Sequence, residues 1–141
     1  MGSLNREALR RLLAAPRAGN MQSFSGYDLS GLHLCSVDLA DACLKRASLS
    51  RSDLSQACLA GAHLENADLS GANCSDADFR GAYLQGADLS FAYLRGADLR
   101  EANLRGANLH GANLAGAILS GARFEGATLD DGARSAIASS A

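Results

Sequence analysis

Ala87-Asp88-Leu89-Ser90-Phe91, Ala97-Asp98-Leu99-Arg100-Glu101 and Ala107-Asn108-Leu109-His110-Gly111 are copies of one five-residue unit, which recurs twenty-two times between Phe24 and Leu129 without insertion or deletion. The central residue, at position 24 and every fifth position after it, is Leu eighteen times, Phe at Phe24, Phe79 and Phe124, and Cys at Cys74. Ala stands two residues earlier in seventeen units, so the consensus is A-[D/N]-L-x-x. This period fits no amphipathic helix, whose apolar stripe needs spacings of three and four. Nor does it fit an uninterrupted strand, whose faces alternate with period two. It fits a short extended segment with Ala and Leu pointing inward on either side of an outward Asp or Asn, followed by a two-residue bend. Stacked units of this kind make a solenoid.

Asp and Asn suit the position before the Leu because their short side chains bond backbone groups of a nearby turn. Gly ends twelve of the twenty-two units, whereas Arg46, Arg51, Phe91 and Glu101 stand there in others. A positive φ is therefore not expected at every corner, and ordinary turn conformations are expected at most of them.

The chain of 141 residues reads as one domain, since no Pro-rich, Gly/Ser-rich or single-sign stretch divides it. Its 48% apolar content is mostly Ala and Leu, with no Trp, which demands a narrow core. Net charge is -2, from +3 over residues 1–21 and -6 over residues 22–131 with smaller contributions beyond, and gives no global steering toward nucleic acid or anionic lipid. The longest apolar run near the start, Leu12 to Ala15, is too short for a signal peptide core or a membrane span, so a soluble, cytoplasmic protein is expected.

The repeats resemble the pentapeptide repeat family over about three quarters of the chain. The resemblance implies an all-β fold: a right-handed quadrilateral parallel β-helix in which four units make one square coil, with the central residue and the one two before it inside. Residues 22–131 then give about five and a half coils, a rod about 26 Å long at the usual strand spacing. Residues twenty apart stack, so the inward columns start at Phe24, Leu29, Leu34 and Leu39, and each names a face below. In the first coil Gln22, Tyr27, Leu32 and Val37 replace the usual Ala, which suggests a flared or capped end.

Residues 1–21 read as an N-terminal α-helical cap and linker. Leu4, Ala8, Leu9, Leu12 and Leu13 approximate one helical face over residues 4–15, and Pro16 ends it. A solenoid needs such a cap to cover its terminal core and unpaired backbone. Residues 132–141 offer no counterpart and read as a flexible tail. The uncovered last coil, with Leu114, Leu119, Phe124 and Leu129, is therefore expected to make a homodimer.

No catalytic residue, cofactor or metal is expected. The four cysteines have no C-x-x-C spacing; the register places Cys74 in the core and Cys35, Cys43 and Cys58 outward on different faces. His33, His63 and His110 are likewise dispersed. Ser30, Ser50, Ser70 and Ser90 form one row, but no G-x-S-x-G elbow surrounds them, and no phosphate-binding glycine loop is present. The chemistry lies in the outer rows. Asp38, Asp78 and Asp98 share the Leu39 face with Arg80 and Arg100, while Arg95, Arg105, Tyr83, Phe91 and Tyr93 lie nearby. Arg with Tyr and Phe is the composition of a protein interface, so these aromatic residues and Arg80, Arg95, Arg100 and Arg105 are the candidate partner-binding residues of a non-catalytic scaffold. No direct nucleic-acid or membrane contact is expected. The alternative comes from a branch of the same family that mimics DNA, binds type II topoisomerase and confers fluoroquinolone resistance. A DNA segment of the same length carries about fifteen negative charges, well beyond the net -6 of the repeats.

Overall fold

The computed structural model describes Leu9 and residues 23–140. Parallel bridges join residues twenty apart, from Ser23 with Cys43 to Asn108 with Thr128, so the chain winds as a four-sided parallel β-helix. In the middle of the rod each unit makes three ladder bonds. Leu69 N–H donates to the Asp88 carbonyl at 2.7 Å, Gly71 N–H to the Ser90 carbonyl at 2.9 Å, and Asp68 N–H to the Ala47 carbonyl at 2.9 Å. The central Leu residues of the middle coils are fully buried, as are Cys74 and Phe79. At roughly 2–3 kcal/mol per buried Leu, these columns are the main favourable contribution to the fold. Ser52, which replaces an inward Ala, donates its hydroxyl to the Leu49 carbonyl at 2.6 Å and so buries no unpaired group.

The corners differ from the sequence expectation. All twenty-one corner residues from Gly26 to Gly126 have positive φ, twelve glycines and nine others that include Arg46, Arg51, Phe91 and Glu101. The reason lies in the closing bond, by which the N–H of the next inward residue, such as Ala72, donates to the Leu69 carbonyl at 3.1 Å. A four-residue turn so closed, with its third residue left-handed, has the type II pattern. Stacking on neighbouring coils holds even non-glycine corners in this conformation, although each such residue costs about 1–2 kcal/mol.

At the N-terminal end, Leu9 is helical and fully buried in the core cluster; the rest of the expected capping helix lies outside the described residues. Tyr27, Leu32 and Val37 are half-buried against the core, with Tyr27 edge-on to Phe24 at 6.1 Å.

The C-terminal end overturns the expected flexible tail over 132–141. Asp131–Ser139 forms a helix, α1, with Ala133 fully buried and Ala136 and Ile137 packed against the core. Asp130 makes the transition. One carboxylate oxygen caps the helix by accepting the Ala133 N–H at 2.9 Å, and the other accepts the Gly111 N–H at 2.7 Å. In the preceding coils the carbonyl of the residue at this position takes that corner bond, as His110 does for Phe91. The Asp130 carbonyl instead accepts the Arg134 N–H of α1, and the side chain takes its place on the rod.

Candidate interaction surface

The Asp or Asn before each central Leu has a common local role. Its Oδ1 accepts the backbone N–H of the residue after the Leu, as in Asp68 with Ser70 at 2.9 Å and Asn113 with Ala115 at 3.0 Å. That N–H takes no part in the ladder, so the side chain supplies its partner. Where Ser follows, its hydroxyl donates to the same oxygen: Ser30, Ser70 and Ser90 each bond their own Asp within 2.5–2.6 Å. The serine row is thus a set of bonds within units rather than a chain between coils.

On the Leu39 face Arg80 and Arg100 follow Phe79 and Leu99, and each guanidinium folds back on its own carboxylate. Arg80 reaches Asp78 at 2.7 and 2.9 Å, and Arg100 reaches Asp98 at 2.6 and 2.9 Å. Arg80 also lies 3.8 Å from Asp98, linking the two coils. These hydrogen bonds hold the Asp78 and Asp98 carboxyls below the usual carboxylate range and raise both arginines.

The remaining candidate residues occupy other sides. Tyr83 and Arg105 lie on the Phe24 face. Tyr83 stacks on His63 at 4.5 Å with rings 4° apart, and Arg105 lies 3.5 Å from Glu125. Tyr93 and Arg95 lie on the Leu34 face, and Phe91 stands at the corner leading into it. Phe91 and Tyr93 are 60% and 56% exposed. Arg95 makes no side-chain hydrogen bond or ion pair among the described residues, in contrast to Arg80, Arg100 and Arg105. The seven residues therefore do not form one flat patch; Phe91, Tyr93 and Arg95 are the three brought together on a single segment. Sequence reasoning missed Ile118, 44% exposed on the Leu39 face. Its signal was an apolar residue where Asp or Asn is usual.

Leu114 and Leu119 are buried, and Phe124 and Leu129 are half-buried and packed at the α1 end. The homodimer expectation took this end as uncovered, whereas α1 packs Ala133, Ala136 and Ile137 against the core. The cysteines are free and dispersed. Cys35 is exposed and donates to Asp53 at 2.9 Å, whereas burial pushes the Cys74 thiol up to about 12.

The family model for pentapeptide repeats matches in eight copies over residues 23–56, 57–92, 82–121 and 92–131. No curated protein sequence matches the chain. Among solved structures, a pentapeptide repeat protein (Rfr23) from the cyanobacterium Cyanothece 51142 is 44% identical over 66% of this chain and 64% of its own, with a TM-score of 0.65. The chain thus spans just under two thirds of that relative. The pentapeptide repeat protein alr5209 from Nostoc Pcc 7120 is 32% identical over 87% of this chain and 97% of its own, with a TM-score of 0.71. One from the Arabidopsis thaliana thylakoid lumen is 32% identical over 85% of this chain and 77% of its own, with a TM-score of 0.55. With its twenty-residue coils, inward Leu columns and matching repeats, the chain belongs to the pentapeptide repeat family of right-handed β-helices.

Proposed function

We propose that this protein is a non-catalytic, cytoplasmic interaction scaffold, a rigid rod that binds another protein through its outer surface. The carrying observation is where exposed apolar side chains fall. Among the described residues, all four large exposed ones, Tyr83, Phe91, Tyr93 and Ile118, lie between positions 83 and 118, in the later coils. Phe91 and Tyr93 stand together on one segment, the arrangement of a contact region, while Tyr83 and Ile118 lie on other faces of these later coils. The ladder fixes their spacing, so little ordering entropy is lost on binding.

The DNA-mimic alternative has less support. Arg80 and Arg100 neutralise Asp78 and Asp98, and the following coil carries Asn103, Asn108, Asn113 and Ile118 where carboxylates would be needed. Affinity capture from a lysate tests both readings, with the wild-type rod as bait and a variant lacking the four exposed apolar side chains as control. A protein retained by the first and lost by the second supports the scaffold. Equal recovery by both baits overturns the assignment, and selective enrichment of a type II topoisomerase would favour the mimic.

A further inference from the structure

We propose that the N-terminal part of the Phe24 face holds a binding site for a small oxyanion of the phosphate class, built on backbone N–H groups that these repeats leave without an acceptor. The site goes beyond the scaffold reading and does not depend on it. In the standard unit the Asp or Asn before the central residue takes the N–H two positions later, as Asp68 does for Ser70 and Asn103 for Arg105. On the Phe24 face the first four residues at that position are Ser23, Cys43, His63 and Tyr83, joined in one row by parallel bridges. The N–H groups of Ser25, Lys45, Glu65 and Gln85 therefore have no acceptor among the described residues. No other face lacks Asp or Asn in two successive coils.

These donors follow one another up the rod at about 4.8 Å. They issue on the outer surface, where the missing Asp or Asn side chain would stand. Neighbouring outward N–H groups without a protein acceptor favour an anion, as backbone nests do, and two of them lie close enough for different oxygens of one phosphate to accept from both.

The side chains at the same place supply the charge. Ser25, Lys45, Arg46, Glu65 and Asn66 line an open groove of about 410 Å³. Lys45 and Arg46 make no side-chain hydrogen bond or ion pair among the described residues, in contrast to Arg80, Arg100 and Arg105. Glu65 is the one carboxylate lining the groove; one of its oxygens lies 3.4 Å from His63 Nδ1 and the other is buried. Asp41, at the opposite corner of the face, folds over Gly61. Two unpaired cations thus meet a row of unpaired amide donors at Lys45, and an oxyanion is the ligand that uses both. A nucleic acid strand would need a longer row of cations than these two.

The test is titration of inorganic phosphate into the isotope-labelled full chain, followed through its amide resonances, with a phosphoserine peptide as a second probe. Wild type is expected to show saturable shifts confined to the Ser25, Lys45 and Glu65 amides and their neighbours. Cys43→Asn restores the standard unit and gives the Lys45 N–H an acceptor without changing the charge; binding should weaken about threefold or more. The double variant Lys45→Gln/Arg46→Gln should weaken it about tenfold or more, whereas Arg51→Gln, at a different corner, should leave it unchanged. Thermal melts first establish that each variant folds. Tighter binding of the phosphoserine peptide than of phosphate would support the site with the phosphoryl group carried on a larger molecule, and equal binding would support it with a free ion. Absence of saturable shifts would overturn the site. So would binding that is lost in the double variant yet unchanged in Cys43→Asn, since charge alone would then account for it.

Discussion

The middle of the rod and its C-terminal end use the same repeat, yet they are stabilised differently. In the middle, Leu69 and Leu89 have zero exposure, and each coil is hydrogen-bonded to coils above and below. In the last coil, Leu114 and Leu119 retain 5% exposure, and the N–H groups of Leu114, Leu119 and Phe124 have no backbone partner among the described residues. The end depends instead on α1 and on one carboxylate, Asp130. A repeat satisfies its backbone only where another repeat follows, so the end of a solenoid needs sequence that departs from the pattern.

Truncation of the core should separate the two regions most. Leu89→Ala is expected to cost about 3–5 kcal/mol, since the ladder on both sides prevents collapse of the cavity, and Leu119→Ala distinctly less. Chemical denaturation measures both; equal losses would show that the end is as tightly built as the middle.

Removing the end's own device should have the next largest effect. Ala133→Asp places a charge in the buried contact of α1 and should expose amides of the final coil to hydrogen exchange while leaving the Leu69 and Leu89 amides protected. Uniform loss of protection would mean that the rod unfolds as one unit.

Gly111→Ala puts a methyl group against the Phe91 ring at a residue with φ +73°. A loss of about 1–3 kcal/mol is expected, and Phe91→Gly in the same chain should recover part of it. Without recovery, backbone strain alone would account for the loss.

The pH dependence should be smaller and concentrated at the end. Hydrogen bonds from the Ala133 and Gly111 N–H groups hold the Asp130 carboxyl below its ordinary value. A depressed folded-state value means that this contribution is complete above the unfolded carboxylate pKa of about 3.9 and is lost as pH falls through the folded value. Acid should therefore release α1 before the middle coils unfold, and Asp130→Asn should remove that step from the pH profile of helix protection. Asp78 and Asp98 are also depressed, but their arginine pairs are surface-exposed, so Arg100→Gln should shift the melting temperature little.

Much of the interior was legible because an unbroken five-residue register leaves one way to sort inward from outward residues. The columns beginning at Phe24, Leu29, Leu34 and Leu39 and the burial of Cys74 follow directly. The corners were misread because intrinsic preference suggests that Arg46 or Phe91 avoids positive φ, whereas the bonds above and below impose it. The candidate surface was legible as a set of residue types but not as a site. Arg80 and Arg100 follow Asp78 and Asp98 by two residues whereas Arg95 follows Tyr93; the difference stands in the sequence, but the fold shows that this spacing closes an ion pair.

By itself, the sequence determined the coil, its inward columns and the rows of outward side chains, because strict periodicity makes local and long-range order the same information. The tertiary structure decided what occupies the C-terminal end, which arginine remains available to a partner, and how an exposed Phe is held at a strained corner. The end and the Phe91 corner depend on contacts between residues about twenty apart or beyond the last repeat, and the arginine pairing on side-chain contacts two residues apart, none of which the repeat pattern dictates.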